Sequence, residues 1–181
     1  MASARKQKPA QRRGKKHAPA IPDPGTPLEQ FVRLSVILTG FDEAELHGTG
    51  MMSTYYAAIP NIIGEAMFGR LLSRWANIYV RGAGDETLLE ELVTSELLED
   101  ETLGPVARNL AALWYLGMWN QLPGEWRNVH GARAGDTTYI LSPQSYRAGL
   151  VWKAIYSHPP GAKQPGYGSW ALPPENSGRR A

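Results

Sequence analysis

The chain has 181 residues, of which 43% are hydrophobic and 20% charged. That length holds one domain with a real core and is too short for two of ordinary size, and the composition excludes wholesale disorder. The absence of cysteine excludes disulfides, thiolate metal sites, cysteine-ligated clusters and thiol catalysis, while the net charge of +2 conceals an asymmetry. Arg5, Lys6, Lys8, Arg12, Arg13, Lys15 and Lys16 all precede the first acid, Asp23, so the remaining 12 cations face 17 acids and leave the rest of the chain near −5.

Residues 1–25 form this basic arm. They have almost no large apolar side chain and are interrupted by Pro9, Pro19, Pro22 and Pro24. Such a stretch does not bury enough surface to offset its ordering entropy, so it is expected to be disordered. It reads as a solvated tail, as an electrostatic contact to acidic membrane or nucleic acid, or as a remnant targeting region. Basic stretches without interleaved aromatics are weak nucleic-acid signals, and no nucleic-acid partner is expected. No run approaches the ~18 apolar residues of a membrane span, and no apolar core of a secretory signal follows Arg12-Arg13.

An all-α domain of five to six helices is expected over residues 26–158. Thr26-Pro27-Leu28-Glu29 has the capping-box pattern with proline at the first helical position, and Leu28, Phe31, Val32, Ser35 and Leu38 share a face, predicting a helix over 27–39 stopped by Gly40. A polar turn is expected over 42–47. Met52, Tyr55, Tyr56 and Ile59 mark a second helix, which Pro60 should interrupt. Met51 and Met52 fit either an adaptable partner contact or a loose core turn.

A helix over about 61–79 is traced by Ile63, Met67, Leu71, Arg74 and Ile78. Asp85 should cap a fourth, with Leu88, Leu89, Leu92 and Val93 inward. The fifth, from Pro105 to Asn120, carries Val106, Leu110, Leu113 and Gly117 on one face and is expected to be the central core helix. Residues 122–141 read as a loop or short hairpin arm, extended only over 137–141. Ser142-Pro143 opens a last helix carrying Tyr146 and Leu150, which His158-Pro159-Pro160-Gly161 stops, and residues 159–181 form an extended Pro/Gly-rich tail.

No chemistry-bearing pattern emerges. The four histidines lack the spacing of a metal pair, so no metal site and no catalytic residue is assigned. Gly48-Thr49-Gly50 and Arg81-Gly82-Ala83-Gly84 have neither Walker nor dinucleotide spacing and read as turns. Glu90-Glu91 and residues 99–101 read as solvated acidic faces. Distant residues converging after folding leave an independent enzyme as the least supported reading.

The aromatics divide by context. Trp75, Trp114 and Trp152 lie within predicted helices and read as core. Trp119, Trp126, Tyr139, Tyr167 and Trp170, with Pro173, lie in or beside loops and are candidates for a partner interface, because tryptophan and tyrosine dominate binding hot spots.

The order of motifs resembles a known family. Pro27-Leu28-Glu29-Gln30-Phe31 leading to Leu38-Thr39-Gly40, then Trp114, Tyr115 and Gly117 closing a helix, then Tyr146 with Leu150-Val151-Trp152, and finally Gly168-Ser169-Trp170-Ala171-Leu172-Pro173-Pro174, is similar to the small subunit of membrane-associated, FAD-dependent sorbitol, fructose, glucose and gluconate dehydrogenases. The resemblance spans about 26–174 and rests on the ordered combination of short motifs. It implies a non-catalytic helical accessory subunit with no cofactor of its own. FAD is expected in the large dehydrogenase subunit that it binds, a flavoprotein of the glucose–methanol–choline type, with a cytochrome subunit or related acceptor in the same complex. It also implies maturation and twin-arginine export of the catalytic chain, at the periplasmic face of the inner membrane. The chain departs from that pattern at Arg12-Arg13-Gly14-Lys15-Lys16-His17, which is followed by no apolar stretch; a cytoplasmic complex, or a signal supplied by the partner, is the other expectation. The alternative function is a free-standing helical interaction module whose basic arm binds acidic membrane or nucleic acid.

Overall fold

A computed structural model describes residues 22–160. The basic arm up to residue 21 and the tail from 161 lie outside the described residues. Within them the chain is all-α apart from one two-stranded ribbon.

α1 (Pro27–Thr39) begins as its sequence dictates. Thr26 and Glu29 form a reciprocal capping box, Pro27 occupies the first turn, and Gly40 closes the helix at φ 71°. Its inward face places Phe31 edge-on to Tyr56 and Phe68, at 5.5 and 6.1 Å between ring centroids. The expected polar turn is instead a short helix, α2 (Glu43–Gly48), started by a second capping box between Asp42 and Glu45 and held down by the fully buried Leu46.

α3 (Met52–Ile63) runs through Pro60, where an interruption was expected. Proline removes one backbone donor, but here it falls in the last turn and the buried Ile59, Ile62 and Ile63 hold that turn against the core. The break comes at Gly64, φ 94°, so α4 (Glu65–Gly82) starts four residues later than expected. Met51 and Met52 are buried and belong to the core of this chain.

α5 (Glu86–Val93) is capped by Asp85 and continues as a π-helical turn over Thr94–Leu98. α6 (Gly104–Leu116) is central, burying Val106, Ala107, Leu110, Leu113 and Trp114 and touching α1, the π turn and the last helix of the described residues. It ends at Leu116, four residues short of expectation, and is closed by Gly117. α1 packs between α4 and α6, and α3 and α5 flank α4.

After α6, β1 (Met118–Trp119) pairs antiparallel with β2 (Tyr139–Ile140), Met118 opposite Ile140 and Trp119 opposite Tyr139. The connection between them carries an unexpected helix, α7 (Gly124–His130). The single last helix expected from the sequence is two pieces, α8 (Pro143–Ala148) and α9 (Leu150–Ala154), broken at Gly149. A Cβ on Gly149 would lie 2.6 Å from the Tyr115 carbonyl oxygen, so the break lets α8 and α9 close onto the end of α6.

Candidate partner interface

Thr39, Tyr115, Gly117, Tyr146 and Trp152 of the motifs converge on one corner, where the C-termini of α1 and α6 meet α8 and α9, whereas residues 27–31 lie at the other end of α1. Tyr115 donates its hydroxyl to the Thr39 carbonyl at 2.7 Å, tying the end of α6 to the end of α1, and its ring meets Phe41 edge-on at 6.0 Å. One residue past α6, Gly117 has φ 67°, and a Cβ there would lie 2.3 Å from the backbone of Ser145. That contact admits no side chain. The Gly117 carbonyl then accepts from the Ser145 hydroxyl at 2.8 Å and from Leu141 N–H at 3.0 Å.

Ser145 is fully buried and also answers the Ser142 cap, so α8 is held at its first turn by the end of α6. Trp152 of α9 donates Nε1 to the Tyr146 carbonyl at 2.8 Å and stacks edge-on against the Tyr146 ring at 5.4 Å. Trp114 is buried in the core, edge-on to Tyr55 at 4.8 Å; burial pushes the Tyr55 phenol up, which keeps it neutral. Lys153 pairs with Glu45 of α2 and lies 5.7 Å from the Phe41 ring centre. The Lys153 hydrogen bond, followed by that from Asp42 N–H, holds the Glu45 carboxyl below its ordinary value.

The corner directs the chain outward. Beyond α9, Ile155 is 58% exposed and Tyr156, at φ 52°, is wholly exposed, while Ser157 N–H returns to the Trp152 carbonyl at 2.8 Å. A cleft of about 450 Å³ beside them is lined by Thr49, Arg147, Trp152, His158 and Pro159 among others. Spacing sets Ile155 close to the track of Tyr146, Leu150 and Lys153 on the expected last helix, and does not mark it or Tyr156 as exposed, since they look like the end of an ordinary amphipathic turn. Ile140, half exposed opposite Met118, had a signal: alternation along 137–141 sets it on the face away from Tyr139.

Two interface candidates require correction. Trp119 is fully buried and Trp126 is 8% exposed, so neither offers a face to another chain. The cause is a buried acid that sequence reasoning missed. Asp136 accepts from Trp119 Nε1 and Leu122 N–H, both at 3.0 Å, and its other oxygen lies 3.1 Å from Arg127 Nε, a charge contact without hydrogen-bond alignment. Trp126 donates Nε1 to the Thr102 carbonyl at 2.7 Å and fastens α7 to the body. These tryptophans complete the domain's own wall. Tyr139 is half-buried beside Trp119, whereas Tyr167, Trp170 and Pro173 lie outside the described residues.

Among the described residues no group of three or more His, Asp or Glu side chains is arranged to hold a metal, and no helix is long and apolar enough to cross a membrane. Comparison of the chain with known protein families, curated proteins and solved structures finds no match.

Proposed function

We propose that the chain is the non-catalytic small subunit of an FAD-dependent sugar or sugar-alcohol dehydrogenase, and that it stabilises the catalytic flavoprotein by covering apolar surface on it. One observation carries this reading. Five of the motif residues, Thr39, Tyr115, Gly117, Tyr146 and Trp152, are scattered over more than a hundred positions yet together build one corner, from which the exposed Ile155 and Tyr156 lead into the segment bearing Tyr167, Trp170 and Pro173. A protein interface of standard size buries ~1,600 Å² and draws most of its energy from a few aromatic anchors. In this reading Tyr156 and Trp170 are those anchors. FAD belongs to the partner, and a cytochrome subunit or related acceptor takes the electrons.

Tagged full-length chain recovered from its native host tests this, with mass identification and a flavin absorbance scan. A near-stoichiometric flavoprotein is expected, and Trp170→Ala should weaken its affinity by about tenfold or more while leaving the chain folded. Recovery of the chain without a flavoprotein, or a flavoprotein bound equally well by the folded Trp170 variant, counts against the reading. Deleting the arm should leave flavoprotein binding intact, which separates this function from that of a free-standing module acting through its arm.

A further inference from the structure

Charge is segregated along this chain. Seven cations lie in the first 16 residues, eight of the 17 acids lie between Asp85 and Glu101, and no Lys or Arg occurs from 82 to 107. Folding neutralises part of the acidic stretch. Glu96 pairs with Arg81 through two 2.7 Å contacts, Asp100 lies 3.7 Å from Arg74, and Asp85 accepts from Leu88 N–H. Glu86, Glu90, Glu91, Glu99 and Glu101 are exposed and have no ion-pair partner among the described residues.

The inner side of α5 is taken by α4, where Leu89 lies against Gly82 so closely that a Cβ on the glycine would sit 2.9 Å from the leucine Cα. Its outer face is an open, shallow stretch of helix surface formed by Thr87, Glu90, Glu91, Thr94 and Ser95. The arm joins the domain close by. The carbonyls of Asp23 and Pro24 accept from Arg33 Nη1 at 3.0 and 3.1 Å, and the Arg33 guanidinium lies 4.9 Å from the ring centre of Tyr79, one turn before Gly82. Lys16 is six residues from Pro22 and Arg5 seventeen, so an extended arm reaches roughly 20 to 55 Å from that attachment. A tether of this length holds the cations near α5 at an effective concentration on the order of millimolar.

We propose that residues 5–16 dock in cis along the outer face of α5, their Lys and Arg side chains against Glu86, Glu90 and Glu91. The arm supplies the charge that this face lacks. Docking occupies the cations that would otherwise meet acidic lipid or nucleic acid. It is independent of the accessory-subunit reading.

The cysteine-free chain allows a nitroxide to be placed at one position, Ala4→Cys. In low salt the label should broaden the amide signals of residues 86–95 and spare those of 143–154. The broadening should vanish near 1 M salt, where the Debye length falls to about 3 Å. It should vanish also in the Glu86→Gln, Glu90→Gln, Glu91→Gln variant, whose substitutions are all exposed and whose remaining spectrum should be unchanged. Broadening centred on another face, spread evenly over the surface, or undiminished in the triple variant overturns the proposal. So does a label that broadens no face yet is immobilised by anionic vesicles or duplex DNA, which would assign the arm to an external partner.

Discussion

At the scale of single residues, Asp136 does the most for its size. Its carboxylate is 3% exposed, accepts from one N–H group of β1 and one of the loop after it, and meets Arg127 of α7 as a charge contact, so one side chain ties the connection between β1 and β2 at three points. Removing it leaves the Trp119 and Leu122 N–H groups without an acceptor and Arg127, itself only 26% exposed, without a counter-charge. Stranding one member of a buried pair costs about 3–5 kcal/mol, and each orphaned donor adds to the loss. Asp136→Ala should therefore lower the urea-unfolding free energy by about 3–5 kcal/mol. Asp136→Asn retains an acceptor for the two N–H groups and should lose less. A fall below about 1 kcal/mol for the alanine variant would show that this network does not hold the connection.

At the scale of elements, helix ends separate what was legible in the sequence from what was not. The start of α1 is encoded within four residues, Thr26 to Glu29, and its end by Gly40, so pattern reading placed both. The same chemistry at Asp42 and Glu45 went unread because the helix it starts is under two turns long and shows no period. At the Gly149 break the Tyr115 carbonyl lies where a Cβ would sit, and the buried Trp119 donates to Asp136, 17 residues on. Neither fact is local, so alternation and spacing do not contain it.

Gly40 and Gly117 turn this difference into a measurement. Both end helices at nearly equal φ, 71° and 67°, yet an added Cβ at Gly40 meets nothing within 4 Å, whereas at Gly117 it would sit 2.3 Å from Ser145. Gly40→Ala should cost only the left-handed penalty of about 1–2 kcal/mol. Gly117→Ala should cost about 1–3 kcal/mol more, since α8 must retreat from the end of α6. Equal losses in chemical unfolding would mean that the α6–α8 contact yields freely.

For the molecule as a whole, acid is the perturbation to which the helix ends and the corner respond together. Glu29 is held below its ordinary value by the Thr26 backbone N–H and hydroxyl, Glu45 by Lys153 and the Asp42 N–H, and Glu96 chiefly by Arg81. They secure, respectively, the start of α1, the junction of α2 with α9 and the contact of α4 with the π turn. In each case the folded chain binds its proton more weakly than the unfolded chain, whose carboxyls titrate near 4.5. Between the folded and unfolded values the unfolded state carries more protons, so stability rises with pH through that window. Their contribution is complete above the unfolded value and disappears as pH falls through the folded ones. Urea midpoints should accordingly be level from about pH 7 to 5 and descend below about 4.5. Glu29 is exposed and Glu45 and Glu96 are about a third exposed, at 32% and 31%, so solvent screens all three and the descent should be gradual rather than a collapse. Glu45→Gln and Glu96→Gln should each begin from a lower plateau and descend less steeply, because the substituted site has no proton left to gain. Parallel curves for parent and variants would place the acid sensitivity elsewhere in the fold.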